Sequence, residues 1–323
     1  MPMTHCTWLF LLATAGISPS AEPPTFLNPI NPSADPWLGY ADGAYHLATT
    51  QSNCVRLWSA PTLGGLAKAK PVMIWEKGKG VWAPEFHQLK GPHGLKWYCY
   101  FTKTDSTDER HRMFVVESTT NKIDGPYGEP VQLRTDPDDQ FYAIDGTVFE
   151  TGGSLYFVWA GHPGHRLFMA KMQDPMTITG DRVLIPASGF GCEEVREGPC
   201  VLLHGDRLFL TYSACDTGKP DYKVGYVWAK VGDDPLKPAS WTQEPNPLLQ
   251  RNDPSGVFGP GHHSFFKSPD GKDDWIAYHA KTTAEYTYKG RSTRVQKLDW
   301  DADGFPKPVI PLSLDAPIAE PVR

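Results

Sequence analysis

Five times along this chain a short polar motif opens onto the same succession: an apolar strand, a tight turn, an aromatic-rich strand, an irregular loop and a third strand. SADPWLGYADGAYHLATT starts at Ser33 and finds its third strand in VRLWSA from Val55. WAPEFHQLKGPHGLKWYCYFTKT starts at Trp82, with MFVVEST from Met113. AIDGTVFETGGSLYFVWAG starts at Ala143, with RLFMAKM from Arg166. REGPCVLLHGDRLFLTYSACD starts at Arg196, with KVGYVWAKV from Lys223. GPGHHSFFKSPDGKDDWIAYHAK starts at Gly259, with STRVQKLDW from Ser292. Repeats spaced mostly fifty to sixty residues apart are too long for a leucine-rich or helical-pair array and suit propeller blades of three or four strands. With 30 Gly and 31 Pro along 323 residues, long helices are disfavoured and short strands joined by turns are favoured. The chain is therefore predicted to be all-β, a single five-bladed β-propeller spanning residues 21–323. A two-sheet sandwich supplies similar hairpins but no reason for one internal order to recur.

The polar residue opening each copy is, in order, Asp35, Glu85, Asp145, Glu197 and His262. First strands of propeller blades line the central channel, so these five are expected in one ring at its mouth. Gathering carboxylates in a semi-buried pocket is costly, because like charges there raise one another's pKa. Such a pocket, with aromatics nearby, suits cleavage of a glycosidic bond. That reaction needs one protonated carboxyl to donate to the leaving oxygen and one ionised carboxyl to activate water or attack the sugar. Glu197 is the expected acid, its proton held on by neighbouring charge such as Asp145. Asp35 is the expected base, and Asp145 the group that orients Glu197 and tunes its pKa. Trp82 at the same rim is a candidate platform for a sugar face, with core packing as the other reading. Arg294 in RSTRVQKLDW is a candidate sugar or carboxylate contact, with an outer-strand surface charge as the other reading.

In order along five repeats, SADPWL, WAPEF, AIDGTVF, REGP and GPGHHSFF resemble glycoside hydrolase family 43, over almost the whole chain after residue 20. The resemblance implies a five-bladed propeller that cleaves α-L-arabinofuranosides or β-D-xylosides with inversion. By motif it makes Asp35 the general base, Asp145 the pKa modulator and Glu197 the general acid. It places His262 toward a central cation, usually calcium, although His263 beside it leaves open which imidazole faces the axis. WAPEFH, EGPCVLLHGDRLFLTYSACD and RSTRVQKLDWDADGFP resemble the exo-acting α-1,5-L-arabinofuranosidase branch more narrowly. The extra C-terminal sandwich common in the β-xylosidase branch has no counterpart here, while the endo-arabinanase branch shares the fold. A non-catalytic sugar-binding propeller is expected to have lost one of the three acids, and all three are present. Retaining fructosidases carry Arg-Asp-Pro and Glu-Cys signatures, and sialidases carry Ser-x-Asp-x-Gly-x-Thr-Trp turns; neither set occurs. A metal hydrolase built on His162, His165, His262 and His263 is the last rival. In GHPGH, however, His162 and His165 read as solvated loop histidines.

The remaining expectations concern surroundings. A formal net charge of -6 argues against nucleic acid and against anionic membranes, leaving a carbohydrate as the partner of a monomer. The run WLFLLATAGI from Trp8 is too short to span a bilayer, and Ser18 and Ser20 suit a signal-peptidase site. Residues 1–20 are read as a secretory signal and the protein as extracellular. Secretion permits disulfides, and of Cys54, Cys99, Cys192, Cys200 and Cys215 the expected pair is Cys192–Cys200, which closes the shortest loop.

Overall fold

The computed structural model describes Met1 and residues 24–323; the expected signal segment falls, Met1 apart, outside the described residues. After β1 (Thr25–Phe26), blade 1 is β2 (Trp37–Ala41), β3 (Ala44–Ala48), β4 (Val55–Ala60) and β5 (Val72–Trp75), with α1 (Leu63–Leu66) between the last two. Blade 2 is β6 (Trp82–Gly91), β7 (Gly94–Lys103), β8 (Arg112–Glu117) and β9 (Val131–Gln132). Blade 3 is β10 (Ala143–Thr151), β11 (Ser154–Gly161), β12 (Arg166–Asp174) and β13 (Thr177–Leu184). Blade 4 is β14 (Arg196–His204), β15 (Arg207–Ala214), β16 (Lys223–Lys230) and β17 (Thr242–Gln243). Blade 5 has three strands, β18 (Phe258–Lys267), β19 (Asp274–Lys281) and β20 (Ser292–Leu298), and β21 (Ile318–Ala319) follows. Every blade is an antiparallel meander, and the five-bladed propeller expected from the repeats is the observed architecture.

Local chemistry explains the hairpins. Ala41 pairs with Ala44 across Asp42-Gly43, whose φ values of 50° and 80° are those of a tight two-residue turn that Asp-Gly accepts readily. The apolar surface is spread over five buried clusters, each between two neighbouring blades. Tyr100, Val148 and Phe157 join blades 2 and 3, for example, and Leu38, Tyr45 and Phe266 join blades 1 and 5. Each sheet is thus covered on both faces by its neighbours, and the axis is left to polar side chains.

The circle is closed by the chain ends. β1 pairs with β21. Between β1 and β2 the chain runs along the outer edge of β20. There Asn28 clamps Val295 through both its N–H and its carbonyl (3.0 Å each), and the Ile30 N–H donates to Thr293 O at 3.0 Å. This segment supplies the edge that a fourth strand supplies in the other blades. Glu320 then accepts from the Leu63 and Gly64 amides of α1, tying the C-terminus to blade 1.

Candidate active site

Each blade enters the axis through one residue in the left-handed region: Asp35 (φ 59°), Ala83 (φ 44°), Asp145 (φ 56°), Gly198 (φ 52°) and His262 (φ 44°). Four of the five are not glycine, and strain of this kind persists only where the surroundings hold it. What holds it is a relay around the ring. The Ala83 N–H donates to Thr50 Oγ1 (2.9 Å), the Asp145 N–H to Thr102 Oγ1 (3.2 Å) and the His262 N–H to Ser213 Oγ (2.8 Å). The Gly198 N–H donates to Asp145 Oδ2 (3.3 Å), and the Asp35 N–H faces His279 Nδ1 (3.3 Å). Every partner belongs to the preceding blade. In β6, β10, β14 and β18 the same residue sits in a break of the strand register, the bulge that turns a side chain toward the axis.

This alignment corrects the ring expected from the sequence. Blade 2 places Ala83, not Glu85, level with Asp35, Asp145 and His262. Glu85 lies two residues further down β6. With Trp37, Thr147, Cys200 and Ser264 it lines a separate cavity of about 420 Å³ along the inner strands, where it contacts His87 at 3.1 Å. Glu197 stands one residue before its blade's left-handed position and still reaches the axis. Trp82 holds the corresponding place in blade 2, half-buried and stacked on His111 with ring centroids 3.7 Å apart.

Asp35, Asp145, Glu197 and His262 converge, each less than a tenth exposed. His262 Nδ1 lies 3.5 Å from Asp35 Oδ1 and 3.9 Å from Asp145 Oδ2. His262, then, is the imidazole that faces the axis. His263 is buried between blades 4 and 5 with Nε2 2.6 Å from Thr211 Oγ1. Burial alone raises the Asp35 carboxyl, but His262, Arg291 and His279 outweigh it and hold Asp35 well below the usual range. Arg291 Nη1 and His279 Nδ1 stand 3.2 and 3.1 Å from Oδ1, while Thr50 donates to Oδ2 at 2.7 Å. Burial, aided by the charges of Glu197 and Asp35 against the opposing pull of His262, pushes Asp145 up to about 7. For Glu197, burial raises the pKa, but His165, His262 and the Tyr222 hydroxyl (2.8 Å from Oε1) bring it below the ordinary value.

Their surroundings therefore push the two carboxyls apart, Asp145 upward and Glu197 downward, which reverses the expectation that neighbouring charge raises Glu197. Glu197 has a phenol on one oxygen and an imidazole by the other; Asp145 has one long backbone contact. His165 is a second correction. It is no solvated loop residue: its ring is wedged against Tyr142, and Nε2 stands 3.1 Å from Glu197 Oε2, off the hydrogen-bonding direction. Arg294 is the third. It is fully buried in β20 opposite Tyr278, with Nη2 donating to Lys281 O at 3.3 Å, so it presents nothing to a ligand in the pocket. The guanidinium on the pocket is Arg291, at the mouth end of that strand. The disulfide is the fourth, joining Cys192 to Cys215 and leaving Cys54, Cys99 and Cys200 free among the described residues. Cys200 is carried down β14 opposite Thr211. Cys215 follows the β15 residues that pair with the start of β14, beside the loop holding Cys192. Arg196 staples that loop, donating to Ala187 O (3.0 Å), Cys192 O (2.9 Å) and Glu193 (2.7 Å).

Asp145, Glu197 and His262 present atoms within 4.8 Å of one another, a set that a cation could use. A hard cation prefers oxygen donors, and direct ligation by this set would engage both carboxyls of the acid pair.

Three carboxyls gathered on the axis of a propeller, Asp35 held low and Asp145 pushed up, suit a glycosidase. The chain belongs to family 43 of the glycosyl hydrolases, whose family model matches residues 26–306. It is similar to an extracellular exo-α-(1→5)-L-arabinofuranosidase of Streptomyces avermitilis, 37% identical over 93% of this chain and 66% of that protein. It also resembles an enzyme of the same description from Streptomyces chartreusis, 33% identical over 85% of this chain and 88% of that one. Among solved structures, an α-L-arabinofuranosidase from Lactobacillus brevis superposes with a TM-score of 0.80 at 31% identity, covering 90% of this chain and 98% of that one. The chain spans 66% of the length of the S. avermitilis relative and 63% of an α-L-arabinofuranosidase from Humicola insolens.

Proposed function

We propose that this protein is an inverting, exo-acting α-L-arabinofuranosidase that removes terminal arabinofuranosyl residues from arabinan or other arabinose-bearing plant polysaccharides. The observation that carries the reading is the convergence of three buried carboxyls on the axis, Asp35 paired with Arg291 at 3.2 Å and Asp145 without a cationic partner that close, which divides them into one held low and one pushed up. The names of the relatives supply the sugar. Asp35 acts as general base toward water. Its Oδ2 accepts from Thr50 alone and is the freer oxygen for that water. Glu197 delivers the proton to the leaving oxygen. Asp145 passes it across when a neutral sugar displaces water around Glu197 and raises that carboxyl. Asp35 ends with the proton taken from the attacking water and Glu197 without its own; loss of the first to solvent and uptake of one by the acid restore the starting charges.

A calcium ion on the axis belongs to the same proposal. His262 would hold it through a water shell, and its charge would add to that of Arg291 in keeping Asp35 ionised. Extracellular location and a monomeric state are proposed too. Support for the first comes from the extracellular relatives and the Cys192–Cys215 bond.

The test is turnover of a panel of aryl arabinofuranosides and xylosides, with the anomer of the first product read by proton NMR and the products from linear arabinan separated. Arabinose released singly as the inverted anomer is expected. Preference for xylosides transfers the chain to β-D-xylosidase chemistry, internal cleavage to endo-arabinanase, and no turnover with retained binding to a carbohydrate-binding propeller. Retained configuration removes Asp35 from the base role. Dialysis against a chelator, with metal analysis, activity and melting temperature, tests the ion.

A further inference from the structure

Tyr286 and Tyr288 are 58% and 52% exposed, in a protein that buries most of its other aromatics. They stand on the loop between β19 and β20, edge to face with ring centroids 5.6 Å apart and hydroxyls 2.7 Å apart. Tyr288 also donates to Asp216 Oδ2 at 3.0 Å. The loop is braced from beneath. Lys281, fully buried, donates from Nζ to Gly218 O, and to Glu285 O and Thr287 O at 3.2 Å, while the Thr287 N–H donates to Gly218 O at 2.9 Å. A buried ammonium spent on three loop carbonyls is costly, and what it holds in place is an exposed pair of rings.

The loop ends in the catalytic pocket. Arg291 donates from Nε to Tyr288 O at 3.1 Å and from Nη1 to Asp35 Oδ1 at 3.2 Å. Thr217, next to Asp216, contacts both Arg291 and His279, the two side chains that stand against Asp35 Oδ1. The tyrosines therefore sit at a fixed short path outside the general base, on the rim between blades 4 and 5. A rigid aromatic face carrying hydroxyls and flanked by a carboxylate suits a sugar ring, which offers C–H bonds on one face and hydroxyls at its edge.

We propose that Tyr286 and Tyr288, with Asp216, form a subsite for the sugar units on the leaving-group side of the scissile bond. This rests on the exo reading above: where the axial pocket takes only the terminal residue, whatever touches the rim is the remainder of the chain. A small aryl leaving group does not reach this rim as an oligosaccharide does.

Two measurements test it. In the Glu197→Gln background, where turnover is suppressed, the Kd for α-1,5-arabinotriose is compared with and without Tyr286→Ala/Tyr288→Ala; about a tenfold rise is expected. In the active protein the same pair of changes should lower the ratio of kcat/KM on arabinotriose to that on 4-nitrophenyl arabinofuranoside about tenfold. Tyr286→Phe, which keeps the ring, should stay within about threefold of the parent, and circular dichroism with melting temperature verifies the fold. An unchanged Kd, or equal losses on both substrates, overturns the subsite. Absence of turnover on every arabinofuranoside by the parent protein, with the Kd effect intact, overturns the exo-arabinofuranosidase reading and with it the leaving-group assignment, and leaves the tyrosines as a sugar-binding rim.

Discussion

Glu197 owes its behaviour to three side chains that touch or face it: Tyr222, His165 and His262. If it delivers the proton, Glu197→Gln should cut kcat/KM about 10²- to 10⁴-fold on arabino-oligosaccharides. It should cost far less on aryl glycosides, whose leaving groups depart unaided. Equal losses on the two would remove Glu197 from the acid role. Asp35→Asn should suppress both alike, since both need the activated water. The pH profile belongs to Asp145. Because its carboxyl is pushed up to about 7, the pair loses its shared proton as the pH rises through that value, so kcat/KM should fall on the alkaline side. In Asp145→Asn that reservoir is gone and Glu197, held low by His165, must keep the proton alone. The alkaline limb should then move to lower pH by about one unit or more. A limb that stays in place would show that Asp145 does not share the proton.

At the level of the strand, the site is made by four bulges and a set of hydroxyls from neighbouring blades. The left-handed backbone at His262 is capped by Ser213 of blade 4, and that at Asp145 by Thr102 of blade 2. Removing one cap leaves a buried N–H unpaired beside a strained residue, which costs about 1–3 kcal/mol. Ser213→Ala should therefore lower stability by that order and also disturb catalysis, because His262 carries the contact to Asp35. Ser213→Thr restores the hydroxyl and should recover most of both. Melting curves and kcat/KM on one aryl substrate read the two effects, and a stability loss with unaltered kinetics would uncouple the cap from the site. In the sequence the caps pass for ordinary strand residues, since a hydroxyl on β7 or β15 carries no mark of the neighbouring backbone it meets.

Across the whole molecule, a propeller is a closed circle without a central core, so its cohesion depends on the seam where the ends meet. Asn28 is buried and makes two hydrogen bonds to Val295 across a separation of 267 residues. Asn28→Ala leaves both backbone groups of Val295 unpaired at that seam and should destabilise the fold by about 2–4 kcal/mol. The drop in urea midpoint checks this, and a value within about 0.5 kcal/mol of the parent would mean that β1 pairing with β21 closes the circle by itself.

The circle itself was legible in the sequence, because the order of events in a blade is local. Turn residues such as Asp42-Gly43, alternation within a strand and an aromatic second strand are properties of adjacent residues, and five copies leave few other architectures. Asp35, Asp145, Glu197 and His262 were legible because each lies in the short motif that opens its own blade, although Glu197 stands one residue before the position that the other three hold. Whatever depended on contacts between blades was not. Sequence alignment of the repeats cannot tell that Ala83 rather than Glu85 shares the level of Asp35, because a bulge shifts the register by one residue without marking the sequence. Nor can it choose Arg291 over Arg294, three residues apart in RSTR, when only the distance down the strand separates a pocket ligand from a buried one. The partner of Cys192 was set by which strand end lies beside its loop, not by the shortest span. The opposite shifts of Asp145 and Glu197 were decided last of all, with His165 and Tyr222 approaching Glu197 from two loops, since a pKa is the sum of surroundings that only the folded chain brings together.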